Sequence, residues 1–184
     1  MDNTELGILE ETILELLTSD NEKRRNAEVK RDQIKSNDID KYALGMMQAI
    51  ADESLKDGGR ALALVLLRGD IKTKLDKQEN LWFRASPDTK ENLKNAVLNL
   101  LQSTESETLA TQIADLASQM AETIYMIDQT GLWNELLVLA NTLVTSENSS
   151  TLKVKVGLHV YNYLFGHLSN ELAQYNDQFV DLFK

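Results

Sequence analysis

The sequence predicts an all-α protein, an α-α superhelix of stacked helix pairs, and three observations predict it. A chain of 184 residues with one proline and eight glycines carries so few helix breakers that helix is favoured throughout. Residues 61–67, ALALVLL, are apolar at every position. A helix of that kind leaves no face for water and needs neighbours on several sides, and seven residues are too few to cross a bilayer. Finally, the helices come in pairs whose first members begin near positions 4, 38, 87, 132 and 171.

Each element has its own signal. Leu6, Leu9, Ile13, Leu16 and Leu17 recur at helical steps over residues 4–18, with Glu10, Glu11 and Glu15 elsewhere on the wheel. Ser19 to Glu22 reads as a capping box opening a second helix that reaches about Lys35. A third starts near Asn37 or Asp38 and carries Tyr42, Leu44, Met46, Met47 and Ile50. The apolar helix follows a break at Gly58 and Gly59. Residues 77–86 form the longest connection, and its Leu81, Trp82 and Phe83 are too apolar to leave in water, so it is expected to tuck back. Ser86 caps the next helix with Pro87 at its first position, and Leu93, Ala96, Val97, Leu100 and Leu101 form its buried stripe. Thr104 to Glu107 reads as a second capping box, opening a long helix through Ile127. Gly131 interrupts the pattern, residues 132–144 resume it with Trp133 in the first turn, and residues 151–168 form another helix. Ser169 and Asn170 are expected to cap a last helix running to Lys184.

The spacing of about forty residues is that of a HEAT/ARM-like repeat, here about four pairs and a partial fifth. No pair buries its apolar side alone, so the pairs stack into a solenoid. The final helix lacks its partner, and residues 1–184 therefore read as the N-terminal segment of a longer array.

Composition narrows the function. The net charge is −10, with ten acids against three bases over residues 101–184, a field that opposes nucleic acid and steers basic partners inward. There is no cysteine, hence no disulfide framework or thiolate zinc site, and no secretory signal or membrane span. His159 and His167, eight apart on one helix, stand about 12 Å apart, too far to share a metal. No G-x-S-x-G elbow and no phosphate loop occurs. Neither catalysis nor a cofactor is expected. Arg68-Gly69-Asp70 matches an integrin tripeptide but continues a buried helix, so it reads as chance. Trp82 and Trp133 read as core. The basic run Lys23, Arg24, Arg25, Lys30, Arg31 and Lys35 is expected to pair with Glu22, Glu28 and Asp32 on the same helix.

Against this background a family resemblance emerges. Leu16-Leu17, Ser19-Asp20-Asn21, Arg24 and Ala27-Glu28 resemble the LLSPDNxxRxxAE opening of importin-beta (karyopherin-beta) proteins. ALALVLLRGDIKTK resembles the inner helix of their second repeat, with Gly69 where a second basic residue or Asn is usual. Leu81-Trp82, followed by Lys90, Leu93, Lys94, Val97 and Leu100, resembles a W-L…K-x-x-L-L segment. Gly131 to Leu136 resembles a W-P-E-L helix start, with Asn134 replacing the proline. The matches run in order from residue 6 to about 140, and Leu66-Leu67-Arg68 leans to the karyopherin-beta-3 branch.

The resemblance implies a nuclear transport receptor shuttling between cytoplasm and nucleus, with an importin-beta N-terminal-like region at about residues 20–101. It implies binding of the small GTPase Ran in its GTP form through the second helix of each pair. Basic cargo and nucleoporin FG repeats would be bound mainly by later repeats. Candidate partner-binding residues are polar positions that interrupt the apolar pattern of second helices: Arg68, Lys72, Gln112, Asp115, Gln119 and Asn162. The alternative is a HEAT/ARM-repeat scaffold unrelated to transport, such as a trafficking adaptor or a kinase or phosphatase regulator.

Overall fold

The computed structural model describes residues 3–72, 79–128 and 132–172, and every regular element among them is helical. The chain divides into two compact units, Met1–Ala96 and Val97–Lys184.

The first unit holds α1 (Asn3–Leu16), α2 (Asn21–Asn37), α3 (Ile39–Ala51), α4 (Lys56–Ile71), the single turn α5 (Leu81–Arg84) and the first half of α6 (Pro87–Ser103). α1 packs against α2 and α3 against α4, while α1 also lies on α3 and α4. Short connections make such successive helices antiparallel neighbours. The core is built from Leu9, Ile13, Tyr42, Met46, Ile50, Leu64, Leu67, Ile71, Leu81 and Trp82, all essentially inaccessible.

Several local expectations change here. The cap of α2 is Asp20, one residue later than Ser19, and its carboxylate accepts from the Glu22 and Lys23 amides at 2.9 and 3.2 Å. A carboxylate both caps and complements the positive helix end, whereas Ser19 is an exposed residue in the preceding turn. α4 begins two residues before the expected glycine break, after a 3-10 turn at Glu53–Leu55, so Gly58 and Gly59 lie inside its first turns. Gly59 is needed there, because a Cβ would stand 2.9 Å from Leu55 Cγ. Nor is the apolar run covered all round: Ala63, Leu64 and Leu67 are buried, but Val65 is 46% exposed. One narrow stripe thus faces outward, as on an amphipathic helix.

The long connection does tuck back. Asn80 caps α5 through the Phe83 amide and donates to the Ile71 and Lys72 carbonyls, which closes the C-terminus of α4. α5 packs on α3 and α4 with Leu81 and Trp82 buried, and Phe83 remains half exposed. The Lys90 ammonium sits 5.5 Å from the centre of the Trp82 ring. Ser86 caps α6 as expected, through the Thr89 amide, with Pro87 leading. Asp40 of α3 accepts the Ser86 amide at 2.9 Å. Burial works to raise its carboxyl, but hydrogen bonds from Ser86 and Thr89 win and hold it below its ordinary value.

The second unit holds the rest of α6, α7 (Glu107–Thr123) continued by a π-helical turn (Ile124–Asp128), α8 (Asn134–Thr145) and α9 (Thr151–Leu172). α9 packs on both α7 and α8. Gly157 makes the α8 contact possible: a Cβ there would lie 2.8 Å from the Ala140 carbonyl and 2.7 Å from Val144 Cγ2. Lys153 reaches across from α9 to the Leu101 and Thr104 carbonyls at 2.9 and 3.0 Å. It thereby satisfies acceptors left open at the C-terminus of α6, and burial lowers its pKa.

The second capping box does not form. Ser106 is the N-cap of α7 without a side-chain capping bond, and Thr104 is buried with an unpartnered hydroxyl. Regular α-helix ends at Thr123, before Ile127. Trp133 is the N-cap of α8 and is buried. Ser169 and Asn170 start no helix, because α9 runs unbroken through them to Leu172; the partial fifth pair and Gly131 lie outside the described residues. No helix among the described residues is long and apolar enough to cross a membrane.

Candidate partner-binding site

Three of the six candidate residues come together in the second unit. α7 presents Gln112, Asp115 and Gln119 on the side that meets α9, and α9 answers with Lys155, His159 and Tyr163 at four-residue steps, one face of a helix. Lys155 Nζ bonds Glu107 at 2.8 Å, and the His159 ring nitrogen Nε2 lies 2.7 Å from Asp115 Oδ1. The Tyr163 hydroxyl reaches Gln119 at 3.4 Å and Glu122 at 3.3 Å, while Gln119 donates to Glu122 at 2.9 Å. Partners meet in the same order along both helices, so α7 and α9 run parallel, joined by a polar ladder. The hydrogen bond from Lys155 holds the Glu107 carboxyl below its usual value.

These polar interruptions are therefore partly structural. Gln119 is buried, and Asp115 is half-buried against His159. Gln112 has a buried Oε1 without a hydrogen-bond partner among the described residues. Asn162 is exposed one position before Tyr163. In the first unit, Arg68 is half-buried near the end of α4, and Lys72 is exposed where that helix stops.

The strongest electrostatic feature was not among the candidates. Asp70 of α4 is 4% exposed and gathers three donors. Arg31 Nη2 reaches its two oxygens at 3.0 and 3.1 Å, Lys35 Nζ bonds Oδ1 at 2.5 Å, and the Tyr42 hydroxyl bonds Oδ2 at 2.8 Å. Arg31 Nε also donates to the Tyr42 oxygen at 3.1 Å. Burial and the neighbouring Asp70 charge push the Tyr42 phenol well above its ordinary value. Burial alone would lower Arg31, but Tyr42 and Asp70 outweigh it and leave the guanidinium raised.

This corrects the reading of the basic run. Arg31 and Lys35 pair across to α4, and Lys30 reaches Glu11 of α1 at 3.7 Å; among the described residues, the ion pair that stays on α2 is the loose 3.9 Å approach of Arg31 to Asp32. A usable signal was present. Asp70 falls three residues after Leu67 and seven after Ala63, on the buried side of α4, and a carboxylate there demands cations. Arg31 and Lys35, four apart, supply them from one face of α2.

Paired helices with short connections in each unit, and second helices that meet in parallel through polar side chains, define the class: a HEAT-type α-α repeat protein. No family model matches the chain, and no curated protein does. Solved structures do match in fold. One is yeast importin-beta, Kap95p, at a TM-score of 0.72 and 22% identity. A second is Kap95p with Ran, in which its binding induces the switch loops of RanGDP to adopt the GTP-bound conformation, at 0.73 and 22%. A third is a Kap95–Nup1 complex, at 0.72 and 22%. Each likeness covers 91% of this chain and 19% of the other, so the chain spans about a fifth of the length of those receptors. At this identity the likeness is one of fold.

Proposed function

We propose that this chain is part of a nuclear transport receptor of the importin-beta type, a binding scaffold and not an enzyme, whose second helices take up Ran in its GTP form. The observation that carries the reading is the fold likeness to Kap95 structures over 91% of the chain, one of them a complex with Ran and another with Nup1. The order of the sequence matches supports it further, and Leu66-Leu67-Arg68 favours the karyopherin-beta-3 branch within that family. Arg68 and Lys72 at the end of α4, and Gln112, Asp115, Gln119 and Asn162 on α7 and α9, are the contacts proposed. Basic cargo and nucleoporin repeats would engage the remainder of the array, and the receptor would shuttle between cytoplasm and nucleus. Ran and cargo would favour different conformations of one solenoid, so that each weakens the other through a reciprocal coupling free energy.

The test is a pull-down of the chain, and of the full-length protein containing it, with Ran loaded with GTP or GDP. Selective retention of the GTP form, lost on charge reversal in Arg68→Glu or Lys72→Glu, supports the proposal. Indifference to the nucleotide by the full-length protein overturns it and favours a scaffold of another kind.

A further inference from the structure

The Asp70 cluster forms the floor of an open cavity of about 480 Å³ in the first unit, lined by Arg31, Asp32, Lys35, Ser36, Asp70, Glu79 and Arg84. Among the described residues the lining holds three cations and three acids, but they are not equivalent. The side chains of Arg31, Lys35 and Asp70 are 18, 15 and 5% exposed, whereas that of Asp32 is 70% exposed. Charges screened by water contribute little, while those withdrawn from it keep their field. Within the withdrawn group, Asp70 neutralises only one of the two cations, while Arg84, like Asp32 and Glu79, is exposed at the margin.

Hydrogen bonding agrees with the charge. Arg31 commits Nε and Nη2 to Tyr42 and Asp70, and its Nη1 makes no bond among the described residues. Lys35 spends one of three ammonium protons on Asp70. A guanidinium edge and an ammonium, already ordered by a buried carboxylate, therefore present unspent donors to the cavity. Such donors are preorganised for a tetrahedral oxyanion, which accepts from several directions at once. The single excess charge of the withdrawn group suits an anion.

We propose that this cavity is a binding site for a phosphate monoester, held by Arg31 and Lys35 with the exposed Arg84 at its rim. Asp70 is the positioning residue: it fixes both cations without cancelling their combined charge. The site is separate from the contacts proposed for Ran. The phosphate can come from a phosphorylated side chain of a partner or from a free phosphate ester.

The experiment is isothermal titration of the full chain with inorganic phosphate, phenyl phosphate and a phosphoserine tetrapeptide, the unphosphorylated tetrapeptide serving as control. Saturable binding is expected, weakened by about tenfold in Arg84→Ala through loss of one charge-assisted hydrogen bond. That variant leaves the Asp70 cluster intact and should melt with the wild type. The double variant Lys35→Gln with Asp70→Asn removes the buried charge pair together and should lose phosphate binding while staying folded. Tighter binding of the phosphopeptide than of phenyl phosphate assigns the phosphate to a partner side chain, and equal binding assigns it to a free ester. Absence of saturable binding, or binding unchanged in Arg84→Ala (an adventitious ion only), overturns the proposal. Neither result bears on nucleotide-selective Ran binding, so the two readings fail separately.

Discussion

Asp70 illustrates how one side chain can decide the arrangement of three helices. Its carboxylate is buried, and each of its partners lies on a different element or a different turn: Arg31 and Lys35 on α2, Tyr42 on α3. Replacing it by alanine strands two mostly buried cations, an uncompensated loss of about 3–5 kcal/mol. Urea denaturation of Asp70→Ala against wild type should show that drop, and a midpoint unchanged within error would refute the role. Asp40 is subtler. Its folded pKa lies below the ordinary value of an aspartate, so its contribution is fully present above that ordinary value and disappears as pH falls through the folded one. The gap in urea midpoint between wild type and Asp40→Asn should therefore be open at pH 7 and close under strong acid. Both residues lay in plain view as sequence, yet only their register on the folded helices shows which cations and amides they serve.

Among the elements, glycine separates close packing from mere permissiveness. Gly157 lies where α9 touches the α8 backbone, and an added methyl would meet the Ala140 carbonyl, which cannot move aside cheaply. Gly157→Ala should destabilise by about 1–3 kcal/mol through overpacking, despite alanine's better helix propensity. Gly69 has nothing within 4 Å of its would-be Cβ, so Gly69→Ala should stabilise by up to about 0.5–1 kcal/mol. Thermal melts of the two variants should move in opposite directions. The type of the long elements was readable from apolar spacing, because a period near 3.6 with almost no proline permits little else, whereas the single turn α5 fell inside the stretch expected as a connection. Caps were less readable. Ser19 and Thr104 match capping-box patterns, but Asp20 and Ser106 hold the cap positions, since a run of several oxygen-bearing residues offers more than one candidate cap. The expected start of a helix after Asn170 failed for the opposite reason: Ser and Asn can also sit inside a long helix when nothing stops it.

At the level of the molecule, the class of fold was legible because the repeat of helix pairs recurs through the chain, and the Kap95 likeness bears it out over 91% of its length. The candidate contacts were legible only as polar breaks in apolar stripes. That criterion finds the α7–α9 ladder, and it cannot separate side chains that bind each other from side chains that await a partner. Gln119 and Asp115 belong to the first kind as much as to the second. The test above with Ran addresses this directly, since substitutions in the ladder that merely loosen α7 from α9 would alter melting as well as binding. The Asp70 cluster has a historical corollary. Positions 31, 35, 42 and 70 form a closed set in which a lone change is penalised and a matched change is tolerated. Descendants of this chain are bound to keep all four or to exchange them together, so drift at those sites should be correlated where neighbouring surface positions wander independently.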